Sequence, residues 1–206
     1  MDKDRDIYLV RHLPTEMNIS GGFMGREFDP PIVDQEIEGF QEKITALMPS
    51  MSLDSVSFYS SPALRCRQTS EILQKTLNIG DSYIKLVPDL VETDFGEATG
   101  LTVKQIREKF PEVHEAWIND MSRVAYPGGE TYQQVQERAW NALQEIIRET
   151  KDDSSVFICS HVDVIKMTLF KAFEIPISQK KFFVIPNGGI CTLVLQSNEL
   201  KFKPYR

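Results

Sequence analysis

Short apolar runs that end abruptly in polar residues are the clearest pattern in this chain. Two of them, Ile7-Tyr8-Leu9-Val10 and Val156-Phe157-Ile158-Cys159, are continuous. Runs of that length read as strands buried on both faces. Residues 55–60 alternate between polar and apolar, which predicts another strand, and residues 83–87 a further one. Residues 182–185, 190–195 and 200–203 are read as the last strands. Between these runs the apolar period lengthens to that of a helix. Ile37, Phe40, Ile44, Leu47 and Met48 share one face over residues 34–48, and Val135, Ala139, Ala142, Leu143, Ile146 and Ile147 share one over 130–150. Ser61-Pro62 predicts a capped helix start that runs to about Leu77. Two short helices broken near Pro111 are expected over 102–120, and one more over 163–173.

Strands that alternate with helices predict an α/β domain with a mostly parallel central sheet. The last strands lie too close in sequence for helical crossovers, so an antiparallel edge is expected. With no repeat, low-complexity segment or linker, residues 1–206 read as one domain, and about 88–130 as a lid or insertion within it. Residues 13–33, with Pro14, Gly21, Gly22, Gly25, Pro30 and Pro31, predict a long structured loop directly after His12. Loops of that length in a compact domain tend to carry function.

Composition narrows the partners. The 206 residues carry a net charge of −7 and no dense Lys/Arg block, which argues against nucleic acid. No apolar run approaches membrane-spanning length. The N-terminal residues are charged and show no secretory signal, and Cys66, Cys159 and Cys191 are too scattered for a disulfide framework or zinc site. A reduced, cytoplasmic setting is expected, and a homodimer is left open. Because the overall sign repels anions, an anion site would have to be a local cluster of arginines.

Such a cluster is visible at three strand ends: Arg11 and His12 after the first, Arg65 one turn into the helix after the second, and His161 after the strand at 155–159. In open α/β sheets ligands bind beyond the carboxyl ends of the strands. Guanidinium forks match phosphoryl oxygens, and a neutral imidazole held in line is a competent nucleophile for phosphorus. No metal is required where two arginines and a second histidine balance the developing charge. Taken singly, each residue also has a plain reading: a strand-end histidine, or a solvated arginine on a helix. His114 reads as a helix-surface residue, and Trp117 and Tyr126 as either pocket wall or lid anchors.

Arg11-His12-Leu13-Pro14-Thr15 resembles the Arg-His-Gly-x-Thr signature of the histidine phosphatase (phosphoglycerate mutase-like) superfamily. Asn18, Gly25-Arg26 and Asp29-Pro30-Pro31 resemble the loop that follows it. Ser61 through Thr69 is similar to the family's second arginine motif, and Glu92-Thr93-Asp94-Phe95-Gly96 to its acidic segment. Pro127-Gly128-Gly129-Glu130 through Arg138, and Ser160-His161, resemble two further blocks. The likeness covers residues 7–195, and its look is nearest to the α-ribazole phosphatase-like phosphatases. It implies a three-layer α/β/α fold and a phosphatase of small phosphorylated metabolites that needs no cofactor or metal. It implies His12 as nucleophile, Arg11, Arg65 and His161 as phosphoryl ligands, and Glu92 as proton donor, although Asp94 and Glu97 lie close by. Thr15 would orient the first loop, and Asn18 and Arg26 would line the pocket entrance; capping or surface roles are the plain alternatives. A mutase-type phosphotransferase and a catalytically weak phospho-ligand binder are the rival functions. Leu13 and Val162 stand where the family commonly has glycine, Met17 where an aromatic is common, and Ala98-Thr99 replace a bulky-acidic pair.

Overall fold

The computed structural model describes residues 4–47, 49, 51, 53, 55–79, 83–151 and 155–203. Six strands form one sheet: β1 (Arg5–Arg11), β2 (Val56–Ser60), β3 (Ile84–Leu86), β4 (Ser155–Ser160), β5 (Ile190–Gln196) and β6 (Glu199–Phe202), in the order β3-β2-β4-β1-β5-β6. β1, β2, β3 and β4 run parallel, while β5 and β6 are antiparallel additions at one edge. The helices are α1 (Glu16–Ser20), α2 (Ile37–Leu47), α3 (Leu64–Leu77), α4 (Val103–Lys109), α5 (Pro111–Asn119), α6 (Tyr132–Glu149) and α7 (Val162–Ala172).

The continuous apolar runs are explained by the two-sided burial of the central strands. Ile7 and Leu9 of β1, with Val156 and Ile158 of β4, join the cluster that contains α6 and α7 residues such as Ala139, Leu143 and Val164. Tyr8 and Val10, with Phe157, face the other way and pack with Phe40, Ile44 and Leu73 of α2 and α3. Successive strand residues point to opposite faces, so each run feeds two cores, and helices cover both. On the α2/α3 face Tyr8, Phe157 and Phe58 stack across three strands, with ring centroids 4.5 and 5.1 Å apart. The segment 88–130 is continuous with the opposite cluster through Leu90, Phe95, Ile106, Val113 and Tyr126.

Three local differences from the sequence-based expectation have physical causes. Residues 182–185 are not a strand; Ile177–Phe182 is a 3-10 helix followed by an extended link to Pro186. Lys180 is drawn inward to Asp163, which leaves Phe182 and Val184 67% and 84% exposed. The loop after His12 contains α1, five residues held by a Thr15–Asn18 capping box and ended by Gly21 at φ 77°. One turn and a half is too short to show a period. α3 begins at Leu64 rather than Pro62, and its N-cap Ala63 offers no side-chain bond. The carboxylate of Asp29 accepts from Leu64 N at 2.7 Å instead. Part of the α3 N-terminus is therefore already occupied. Met48, expected on the α2 face, lies outside the described residues.

Leu13 is a core residue. It is buried with Phe40, Ile44 and Ile32, and its backbone is not among the positive-φ positions. Leu13→Ala should lower unfolding free energy by about 2–5 kcal/mol, the usual range for emptying a buried leucine site. Denaturant midpoints check this, and a loss well under about 1 kcal/mol would contradict the assignment.

Candidate active site

The site lies where β1 and β4, neighbours in the sheet, send their following helices to opposite faces: α2 below and α7 above. Such a divergence opens a crevice beyond the strand ends. The parallel register pairs Val10 with Cys159 and Arg11 with Ser160, and His12 N extends it by donating to Ser160 O at 3.0 Å. His12 and His161 therefore leave the sheet side by side, with ring centroids 5.2 Å apart. A cavity of about 280 Å³ opens over them. Arg11, His12, Asn18, Arg65 and Glu92 line it.

His12 is buried, and its Nδ1 sits 2.6 Å from Leu13 O. A carbonyl only accepts, so Nδ1 carries the hydrogen and Nε2 keeps its lone pair. Burial, then the nearby Arg65 and Arg11, push the imidazolium pKa down to about 3, against a smaller opposing effect of the Leu13 carbonyl. The ring is neutral at physiological pH. His161 is fully buried and lies just behind, with Nε2 2.9 Å from Ser61 Oγ. Burial and the charges of Arg65 and its neighbours hold it well below the ordinary histidine value.

Two guanidinium groups flank this pair. Arg65, 2% exposed, donates Nη1 to Phe28 O and Nη2 to Gly25 O, each at 3.0 Å, and meets Asp29 at 3.4 Å. Arg11 donates Nη1 to Ile185 O at 2.6 Å. The buried Nε–H groups of Arg11 and Arg65 have no protein partner. Burying a donor without a partner is costly, so unpaired buried donors concentrate where function requires them.

Glu92 supplies the carboxyl group. Its Oε1 accepts from Thr93 N at 2.9 Å. Burial, followed by the neighbouring Asp163 carboxylate, raises its pKa to about 7, against the pull of Thr93 N, Arg65 and Arg11. A second layer fixes the Glu92 backbone. Arg26 Nε and Arg138 Nη2 both donate to Glu92 O, at 3.0 and 3.2 Å. The two arginines share Glu130, which lies 2.6 Å from Arg26 and 2.9 Å from Arg138. Glu130 also accepts from Asp94 N at 3.0 Å. Gly96 and Gly129 let this loop close, since a Cβ on either would fall within 2.5 Å of backbone.

The structure thus brings Arg11, His12, Asn18, Arg65 and Glu92 to one cavity, with His161 directly behind. Arg26 is placed in the Glu130–Arg138 cluster rather than on the cavity wall. Thr15 is fully buried as the α1 cap; Asn18 closes the capping box through Oδ1 and turns to the cavity. Trp117 stacks on Phe23, centroids 5.0 Å apart, and its Nε1 donates to Tyr126. Val162, the first residue of α7, forms part of the wall.

Four residues on or near the wall were not singled out from the sequence. Asp163 and Lys180 form an ion pair at 2.7 Å, and Lys180 Nζ donates to Tyr132 OH at 3.1 Å. Asn187 Nδ2 donates to His12 O at 3.1 Å. Asp163 had one signal, its place two residues after His161, and Tyr132 another, its place within the block from Pro127 through Arg138; Lys180 and Asn187 come from separate segments with none. Among the described residues, no group of three or more His, Cys, Asp or Glu side chains could hold a metal ion, and no helix is long and apolar enough to cross a membrane.

Comparison with known proteins agrees with this geometry. Residues 7–206 match the profile of the histidine phosphatase superfamily (branch 1). The metal-independent phosphoserine phosphatase of Arabidopsis thaliana is 28% identical over 166 residues, covering 78% of this chain and 66% of that protein. Phosphoserine phosphatase 1 of Hydrogenobacter thermophilus is 30% identical over 156 residues, covering 75% and 70%. A 6-phosphofructo-2-kinase/fructose-2,6-bisphosphatase of Caenorhabditis elegans is 26% identical over 189 residues, but the chain spans 38% of its length. Three mycobacterial relatives are also matched over only 44% of their length. Among solved structures, Bacillus stearothermophilus YhfR superposes with a TM-score of 0.85 at 21% identity, covering 96% of this chain and 95% of that one. A putative alpha-ribazole-5'-P phosphatase from Escherichia coli gives 0.81 at 19% identity, covering 98% and 96%. These two likenesses establish the three-layer α/β fold, and the profile match establishes descent: the chain belongs to branch 1 of the histidine phosphatase superfamily.

Proposed function

We propose that the protein is a phosphatase that hydrolyses a small phosphorylated metabolite through a phosphohistidine at His12, without a metal. One observation carries this reading: a neutral, buried imidazole whose Nε2 lone pair is free, set between two guanidinium groups whose buried Nε–H donors are unpaired. The phosphatase relatives, among them one named metal-independent, support it.

The chemistry follows from the geometry. Nε2 of His12 forms a bond to phosphorus as the ester P–O bond breaks, and Arg11 and Arg65 donate to the phosphoryl oxygens. Phosphorylation makes the ring cationic, and the Nδ1–H bond to Leu13 O stabilises that charge. Glu92, protonated near neutral pH, gives its proton to the departing oxygen. Water then attacks phosphorus, Glu92 takes its proton, and the P–N electron pair returns to Nε2.

His12→Ala should abolish turnover of a phosphate-ester panel, and the wild type should yield an acid-labile phosphoprotein and keep its rate in EDTA. Turnover that survives His12→Ala, or that EDTA removes, would contradict the mechanism. For an alkyl ester, kcat/KM should fall as pH rises through about 7, because Glu92 loses the proton it must donate. Glu92→Gln should cost about 10²–10⁴-fold and remove that fall, while His12, deprotonated above about pH 3, contributes none. A pH profile that Glu92→Gln leaves unchanged would assign the proton to another group.

A further inference from the structure

The charged groups lining the cavity are Arg11, Arg65, Glu92, Asp163 and Lys180. Arg11 and Arg65 bring two positive charges to the phosphoryl end. Glu92, its pKa raised to about 7, carries its proton below that pH and adds no charge there. Asp163 and Lys180 lie on the same wall, and both are buried. The lysine ammonium is committed to Asp163 Oδ1 at 2.7 Å and to Tyr132 OH at 3.1 Å, and it lies 4.3 Å from the centroid of the Tyr132 ring. Asp163 Oδ2 accepts from Thr93 Oγ1 at 3.3 Å. Lys166, on the same helix as Asp163, is half-buried and does not line the cavity. Arg26 is held by Glu130. Below about pH 7 the net charge of the cavity is therefore plus two, which a single phosphate dianion balances.

We propose that the Asp163–Lys180 pair is a specificity element that selects monophosphate esters whose leaving group carries no net charge and rejects those with a second anion. The inference rests on the phosphatase reading above and narrows its substrate class. A carboxylate or second phosphate on the leaving group would lie beside Asp163 and the apolar walls of Phe23, Phe95 and Val162, partly withdrawn from solvent. Its one available cation is already neutralised, and a buried anion without a partner is strongly disfavoured. The pair thus denies the substrate a lysine that the fold delivers to the site.

The test uses two esters of one shape that differ by one charge: 4-carbamoylphenyl phosphate and 4-carboxyphenyl phosphate. The wild type should favour the carbamoyl ester by about tenfold or more in kcat/KM. Asp163→Asn keeps the shape and releases Lys180, and should bring the ratio to within about twofold or invert it. Lys180→Met leaves Asp163 unpaired and should widen the ratio. The double variant restores plus two and should return it to the wild-type value. Effects of Asp163 on Glu92 act on both esters and cancel in the ratio. A wild-type ratio near one, or a preference for the carboxylate, overturns the proposal whether or not the variants fold; so does an unchanged ratio in folded Asp163→Asn. Binding of the same esters to His12→Ala, measured by calorimetry, reads the selectivity without turnover. Absence of hydrolysis with a retained binding ratio would overturn the phosphatase reading alone.

Discussion

The parallel pairing of β1 with β4, Val10 beside Cys159 and Arg11 beside Ser160, fixes where both histidines emerge, and the rest of the site is built on it. A slip of one residue would send every side chain of one strand to the other face. The stack of Tyr8 on Phe157 and the joint burial of Ile7 with Val156 oppose any such slip. The hydrophobic interior thus sets the spacing of His12 and His161. Leu13 continues the same logic beyond the strand. Its side chain anchors the chain in the lower core while its carbonyl fixes the His12 tautomer and its N–H bonds Thr69 Oγ1 at 2.9 Å.

Electrostatics then separate the two groups. Burial beside two guanidinium groups keeps His12 neutral, whereas burial beside Asp163 raises the Glu92 pKa to about 7. One environment therefore lowers the pKa of an imidazole and raises that of a carboxyl group, the pairing that the proposed nucleophile and acid require and that two exposed side chains with ordinary values would not provide. The acidic overall charge of the chain is no obstacle, because the arginines act at short range inside the fold. The Glu130–Arg26–Arg138 cluster matters in the same way, at one remove. It grips the carbonyl of Glu92 and so holds the carboxyl group at the cavity mouth.

Much of this was legible in the sequence. The strand-end positions of Arg11, His12 and His161 follow from the apolar runs before them, and Arg65 and Glu92 from motif blocks in order. The sheet, its antiparallel edge and the broken helix pair at Pro111 were readable because each leaves a periodic or turn signal several residues long. What was not readable depends on contacts between distant segments. Lys180 sits in a run that looks like an ordinary basic surface, and only its partner Asp163 explains why it turns inward and why residues 182–185 do not join the sheet. Arg26 looks available for the pocket entrance and Asp29, in the same loop, carries no signal of its own; the fold commits the first to Glu130 and the second to Leu64 N and Arg65. Leu13 departs from a family glycine, yet fits because its backbone needs no positive φ and its side chain has a core to enter.

The central claim is that His12 is held neutral, with hydrogen on Nδ1 and a free lone pair on Nε2. Heteronuclear NMR of the histidine ring nitrogens in the free protein tests it most directly. His12 should show a protonated Nδ1 and an unprotonated Nε2, unchanged from about pH 8 down to about pH 4, where an ordinary histidine would long since have titrated. A His12 that protonates near pH 6.5, or one that carries its hydrogen on Nε2, would contradict the account.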